Sequence, residues 1–175
     1  MRPIQTAKTI IGLITGMALA LAAASAAGVG PAGSQQPVAA GQPLPALHWT
    51  DQHDRRGGID TDTRVLLFAP DRESSQIAHE VLEPLGGEAL NRSGIRYVAD
   101  ISGMPGLVTQ VFALPRMREY SYPVLLGRDS ADTAALPAQA GAVTVLRLDR
   151  GTVTGVEFAK TADELGAMLT GAPTR

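Results

Sequence analysis

The 175-residue sequence contains no cysteine. This absence excludes disulfide bonds, thiol catalysis and zinc binding through thiolates, and it leaves no site for a lipid after the N-terminal apolar stretch. A G-x-S-x-G nucleophile motif is also missing. The G-x-G-x-x-G match at residues 28–33 lacks the preceding strand and following helix that dinucleotide binding requires. The sequence therefore predicts no cofactor.

Positive charge is also scarce. The chain has 15 Lys and Arg against 17 Asp and Glu, and a net charge of −2. Two of the basic residues, Arg2 and Lys8, lie at the extreme N-terminus, and the remainder of the chain keeps Lys160 as its only lysine. An acidic chain of this kind is not expected to bind a nucleic-acid backbone.

Long apolar runs are absent except near the N-terminus. Residues 10–24 are apolar, follow Arg2 and Lys8, and end in the A-x-A site Ala24-Ser25-Ala26. This pattern is typical of a secretory signal peptide, so we predict residues 1–26 as the signal, cleavage after Ala26, and a periplasmic or secreted protein. The alternative is an uncleaved anchor, which would be the chain's only contact with a membrane.

The remaining chain divides into a leader and a domain. Residues 27–43 are small, polar and proline-rich, which predicts a flexible leader. Residues 44–171 carry alternating strand and helix patterns. Strands are predicted at 44–50, 64–69, 95–102, 121–127, 142–149 and 152–159. Helices between the earlier strands imply parallel crossovers, and the Arg150-Gly151 hairpin adds antiparallel strands, so we expect a mixed sheet with helices on both faces.

Three helices are predicted from apolar stripes and caps. The first follows Pro70 and ends at Gly86-Gly87, and the third begins at Thr161 with a capping box to Glu164. The second carries five apolar side chains on one face before Pro115, namely Leu107, Val108, Val111, Phe112 and Leu114.

Three stretches resemble a known superfamily: L-P-A-L-H-W-T-D-Q (44–52), Y-P-V-L-L-G-R-D (122–129) and A-V-T-V-L-R-L-D-R-G-T-V (142–153). Together with the order of elements, they are similar to the redoxin branch of the thioredoxin-like superfamily, and most of all to the periplasmic YtfJ family. This resemblance implies an α/β, thioredoxin-like three-layer fold with a mixed central sheet over about residues 42–170.

In the thioredoxin layout the reactive cysteine pair lies where strand 64–69 meets the next helix. This sequence has Glu73, Ser74, Ser75 and Gln76 there instead. The resemblance without the cysteines implies a non-redox binding or accessory module of the periplasm, with a protein or peptide as its partner.

Two further stretches resemble small secreted proteins labelled FAD/FMN-containing dehydrogenases. They are Y-V-A-D-I-S-G-M-P-G-L (97–107) and F-A-L-P-R-M-R-E-Y (112–120). This second resemblance implies a flavin-associated oxidoreductase as an alternative function, although no Rossmann fingerprint stands in a usable context.

The junction after strand 64–69 offers the main candidate site residues. Asp71, Ser74 and Ser75 are suited to cap the following helix, because its first N–H groups need acceptors. In the alternative, an enzyme would use Glu73, Ser74, Ser75 or Asp100 as catalytic groups. Parallel strands would bring Asp71, Glu73, Asp100 and Ser102 to one edge of the sheet, where ligands bind in open α/β folds.

A metal site is the remaining candidate. H-W-T-D-Q-H-D (48–54) places His48 and His53 five residues apart. Neither a strand nor a helix puts both on one face, so only a loop could bring them to one metal ion. A polar hairpin explains the same residues without a metal.

Overall fold

The computed structural model describes residues 36–171. Seven strands of this part form one sheet. In chain order they are β1 (His48–Asp51), β2 (Arg56–Gly58), β3 (Val65–Ala69), β4 (Ile95–Asp100), β5 (Leu125–Gly127), β6 (Val143–Asp149) and β7 (Thr152–Ala159). The helices are α1 (Arg72–Arg92), α2 (Gly106–Val108), α3 (Leu114–Met117), α4 (Ser130–Thr133) and α5 (Ala162–Thr170), and a π-helical segment, Thr109–Ala113, joins α2 to α3.

The sheet is mixed, as predicted. Its strand order is β2-β1-β5-β4-β3-β6-β7. The three central strands β5, β4 and β3 run parallel to one another, and the outer strands pair antiparallel. Parallel pairing of β3 with β4 requires a crossover, which α1 provides.

The continuous apolar run of β3 is explained by burial on both faces of the sheet. Leu67 and Ala69 belong to one core cluster, and Leu66 and Phe68 belong to the other. All four side chains are almost completely buried. A strand that is buried on both faces carries apolar residues at consecutive positions, whereas a half-exposed strand alternates apolar and polar residues.

Helices pack on both faces of the sheet. Residues of α1, α3 and α5 contribute Leu82, Leu114 and Leu165 to the first core cluster. On the opposite face the indole N–H of Trp49 donates to the carbonyl oxygen of Asp132 in α4 at 3.2 Å. Helices therefore lie on both faces of the central sheet and the fold has three layers, as the sequence predicted.

The ordered domain begins earlier than the predicted boundary at residue 44. Val38 is buried in the second core cluster, and its N–H donates to the Ala135 carbonyl at 2.9 Å. Further on, the Gly41 N–H donates to the carbonyl of Val153 in β7 at 2.7 Å. Residues 36–43 thus belong to the domain rather than to a flexible leader, because they cover part of the β7 edge. The predicted signal peptide and residues 27–35 lie outside the described residues.

Two other boundaries differ from the sequence prediction. Helix α1 continues to Arg92, although Gly86 has φ of 72° and interrupts the helical backbone near Pro84. Strand β5 is only three residues long, because the preceding residues, including buried Tyr122, form an irregular segment. In α5, Thr161 Oγ1 accepts from the Glu164 N–H at 3.2 Å, which confirms Thr161 as the cap, but the Glu164 carboxylate accepts from the Lys160 N–H at 2.7 Å, so the predicted capping box is only half formed.

Among the helices of residues 36–171, none combines the length and the apolar character needed to cross a membrane.

Candidate functional site

The start of α1 is held by Asp71, its N-cap residue. Asp71 Oδ1 accepts a hydrogen bond of 2.9 Å from the Ser74 backbone N–H, and Ser74 Oγ accepts one of 3.1 Å from the Asp71 N–H. The Ser75 hydroxyl donates to the Asp71 carbonyl oxygen at 2.8 Å. These bonds form a capping box, and they occupy polar groups that a catalytic role would have to use as well.

The second carboxylate oxygen of Asp71 reaches the turn before β6. Oδ2 accepts a hydrogen bond of 2.8 Å from the Gly141 N–H. Burial alone would raise the pKa of Asp71, but hydrogen bonds from the N–H groups of Gly141 and Ser74 outweigh it and hold this pKa below its usual value. Asp71 is therefore an ionised group that connects the start of α1 to the turn before β6.

Glu73 lies above the same turn. Its side chain is exposed, and a Cβ atom added to Gly141 would stand 3.0 Å from Glu73 Oε2. The Glu73 carboxylate thus lies beside the turn that precedes β6.

Asp100 is the last residue of β4. Its Oδ1 accepts from the Ser102 N–H at 2.8 Å, and its Oδ2 accepts from the Thr133 hydroxyl at 2.7 Å. The first bond forms a tight turn after the strand, and the second connects that turn to α4. The turn and its bond to α4 therefore explain the polar groups of Asp100 and Ser102, as helix capping explains those of Asp71.

Asp71 and Asp100, two residues of the predicted acidic pocket, bond to different parts of the fold. Asp71 and Asp100 do follow adjacent parallel strands, since Ala69 pairs with Ala99. However, Asp71 bonds to the turn before β6, while Asp100 bonds to α4, which follows β5. Because β6 lies beside β3 and β5 lies beside β4, the two carboxylates are bonded towards different neighbours in the sheet.

The predicted metal residues lie in a polar hairpin. His48 begins β1 and is exposed, and the His53 N–H donates to Asp51 Oδ1 at 2.8 Å in the turn. Asp51 also bonds to the Arg55 side chain at 2.8 Å. Burial tends to raise the pKa of Asp51, yet the bonds from Arg55 and His53 lower it overall. Within residues 36–171, no group of three or more His, Asp or Glu side chains is arranged to hold a metal ion.

Sequence reasoning missed the structural importance of Gln52 in this hairpin. It is only 2% exposed, its amide NH₂ donates to the Tyr122 carbonyl at 2.9 Å, and its Oε1 accepts from the Val124 N–H at 2.8 Å. A turn glutamine gives no sequence signal for such a role, because its two partners lie 70 and 72 residues away.

An aromatic cluster lies against the middle of α1 and includes all three tyrosines of the chain. His79 stacks on Tyr120 with ring centroids 4.3 Å apart, and His79 Nδ1 lies 2.9 Å from the Tyr122 hydroxyl. Tyr97 packs edge-on against Tyr122. Burial raises the pKa of both Tyr97 and Tyr122 far above the usual tyrosine value, so both hydroxyls stay protonated.

A groove of about 580 Å³ opens beside this cluster, and Ser75 is the predicted site residue that lines it. Its apolar lining comes from residues 101–120, which follow β4, and its polar lining comes mainly from α1. The lining residues are Arg72, Ser75, Gln76, His79, Glu80, Ile101, Met104, Val108, Phe112, Ala113, Arg116, Met117 and Tyr120.

The second predicted helix is present as one continuous helical stretch, formed by α2, the π-helical segment and α3, but most of its predicted apolar face is exposed to solvent. Leu107 is 74% exposed and Phe112 is 69% exposed, and Val108 and Val111 are also exposed. Of the five residues predicted on one face, only Leu114 is buried. A π-helical segment, Thr109–Ala113, lies in the middle of this helical stretch and changes its number of residues per turn, so the five apolar residues do not share one buried face.

Neither a scan of protein-family models nor a search of curated proteins finds a match to this sequence.

Solved structures do match. A putative protein disulfide isomerase from Bacteroides thetaiotaomicron is 12% identical, with a TM-score of 0.51 over 77% of this chain and 87% of that chain. The thioredoxin domain of a thiol-disulfide oxidoreductase from Bacteroides vulgatus is 13% identical, with a TM-score of 0.51 over 77% and 97%. The chain has a thioredoxin-like fold. A putative thiol:disulfide interchange protein DsbE from Chlorobium tepidum agrees, with 12% identity and a TM-score of 0.50 over 73% and 91%.

At these identities the similarity establishes the fold alone. The names of all three matched proteins refer to disulfide chemistry. The present sequence has the thioredoxin-like fold without any cysteine, so that chemistry has no reacting group within these 175 residues.

Proposed function

We propose that the protein is an exported, non-redox binding module that holds a polypeptide segment in the groove beside α1. The observation that carries the proposal is the exposed apolar segment: four of the five exposed large hydrophobic residues in the described part lie between Leu107 and Phe112. Contiguous exposed apolar surface of this kind marks an interaction site in a soluble domain.

The shape of the segment supports the same function. Val108 and Phe112 line the groove together with half-buried Met104 and Met117. Methionine side chains adapt to irregular apolar partners, and π-helical turns occur frequently at functional sites. This helical stretch thus presents apolar side chains that a bound segment would cover.

We do not extend the proposal to an enzyme. Asp71, Ser74 and Asp100 each make intramolecular hydrogen bonds that capping or turn formation explains. The alternative of catalysis at the Asp/Glu/Ser edge, and that of a flavin-associated oxidoreductase, stay predictions from the sequence.

Export rests on the N-terminal pattern of positive residues, apolar stretch and A-x-A site. We expect the protein recovered from the periplasm or medium of an expressing bacterium to begin at Ala27. N-terminal sequencing of that fraction tests this, and a chain that remains membrane-bound with an intact N-terminus would contradict it.

The binding proposal is tested by selecting displayed random peptides on the purified protein and measuring the affinity of the selected peptides. Phe112→Ser is expected to weaken binding by tenfold or more, because burying a phenylalanine side chain contributes about 2 kcal/mol. Leu85→Ser is the matched control, since Leu85 is also exposed but lies outside the groove lining. Equal affinities for the two variants would refute the groove as the binding site.

A further inference from the structure

Two arginines stand at the groove. Arg72 is the first residue of α1 and Arg116 lies in α3, and both line the groove. Most arginines of the described part pair with an acidic side chain. Arg72 and Arg116 form neither an ion pair nor a side-chain hydrogen bond with any residue in 36–171. Their charges are therefore available to a bound molecule.

Helix stability does not explain Arg72. The N-terminus of a helix carries partial positive charge, so a cation in the first turn is electrostatically unfavourable. Asp71 already supplies the cap, and it does not pair with Arg72. Within residues 36–171 this exposed positive side chain has no acidic partner.

Resting on the proposed function, we propose that the groove recognises a polypeptide segment whose apolar side chains are flanked by carboxylates. The apolar side chains would contact Met104, Phe112 and Met117 in the groove, and the flanking carboxylates would pair with Arg72 and Arg116. Two arginines and one glutamate, Glu80, line the groove, so these charged side chains sum to a positive charge although the chain as a whole carries −2, and this suits the groove to an acidic partner.

A second copy and a bilayer fit the groove less well. The exposed apolar segment, residues 105–114, contains no Asp or Glu, so the same segment of another copy cannot supply carboxylates. A bilayer is a broad surface, whereas Val108 and Phe112 of this segment line a groove of about 580 Å³.

The test compares two short fluorescein-labelled peptides by polarisation. One carries a Leu-Phe pair flanked by glutamates on both sides, and the other carries glutamines in their place. We expect the glutamate peptide to bind about three- to tenfold more tightly at low salt, as for two partly exposed ion pairs. High salt, which screens such pairs, and the double variant Arg72→Gln/Arg116→Gln should each remove this preference.

The control variant is Arg56→Gln/Arg64→Gln, because these arginines also form no ion pair within residues 36–171 but do not line the groove. It should retain the preference.

Equal binding of both peptides to the unmodified protein, with this binding lost in Phe112→Ser, would overturn this inference and leave the proposed function standing. The inference is also overturned if neither peptide binds at millimolar concentration, or if vesicles with phosphatidylglycerol bind and both peptides fail to compete. Concentration-dependent dimerisation that Phe112→Ser abolishes and the glutamate peptide cannot inhibit would likewise overturn it.

Discussion

Replacing Asp71 by alanine tests how the junction between β3 and α1 is held together. The change removes the side-chain cap of α1, which is worth about 1 kcal/mol. It also removes the acceptor of the Gly141 N–H, and a hydrogen bond to a charged group contributes about 1.5 kcal/mol. Because Asp71 is half-buried, we expect the two effects to add to about 2–3 kcal/mol, a large share of the stability of a small domain.

Urea unfolding followed by tryptophan fluorescence measures this loss. The chain has a single tryptophan, Trp49, which is 4% exposed and will report unfolding of the sheet. With a slope of about 2 kcal/mol per molar urea, the midpoint should fall by about 1 M. Asp163→Ala is the matched control, because Asp163 is an exposed first-turn acid of α5 without a side-chain hydrogen bond in the described part. A midpoint for Asp71→Ala equal to that of the control would refute the reasoning.

The same residue predicts a pH dependence. Burial raises the pKa of Asp71, but the hydrogen bonds from the N–H groups of Gly141 and Ser74 lower it by more, so the folded-state pKa lies below the ordinary value of 3.8. A depressed folded-state pKa means that the stabilisation is complete above the unfolded-state pKa and is lost as pH falls through the folded-state value. The stability difference between the original protein and Asp71→Ala should therefore be constant near neutral pH and shrink below about pH 4. A difference that persists unchanged under acid conditions would contradict an ionic role.

Three further outcomes are expected. Gln52→Leu should lower the free energy of unfolding by about 2–4 kcal/mol in urea titrations, because it leaves the Tyr122 carbonyl and the Val124 N–H buried without partners; a loss below about 1 kcal/mol would count against it. Gly94→Ala should destabilise more than Gly171→Ala in thermal unfolding, since both have positive φ but only at Gly94 would the new Cβ meet a backbone oxygen, at 2.5 Å. The purified protein should be colourless and show no flavin absorption after incubation with FMN or FAD, and a yellow protein would instead favour the flavin alternative.

The serines at the start of α1 illustrate how far sequence reasoning reaches. A proline, an aspartate and two serines after an apolar run predict a capped helix, and the hydrogen bonds of Asp71 and Ser74 have that form. The bond from Gly141 to Asp71 could not be predicted, because the two residues are 70 positions apart and no sequence pattern relates them. Local chemistry is visible in the sequence, whereas the partner across the sheet is chosen by the fold.

The second predicted helix shows the opposite case. Its apolar spacing indicated one face of a regular helix, but a π-helical segment changes the number of residues per turn. Leu114 alone remains in the core, and Phe112 becomes 69% exposed. Periodicity assumes constant helical geometry, so it predicts the wrong face wherever that geometry changes.

The sequence by itself determined the absence of thiol chemistry, the mixed α/β order and the cap at Asp71, because composition and short-range hydrogen bonding depend only on which residues are present and adjacent. Tertiary structure decided the rest. It bonded Asp71 to the turn before β6 and Asp100 to α4, and it placed Arg72 and Phe112 beside the same groove. These positions depend on how distant segments pack, and they move the search for function from the junction to the groove beside α1.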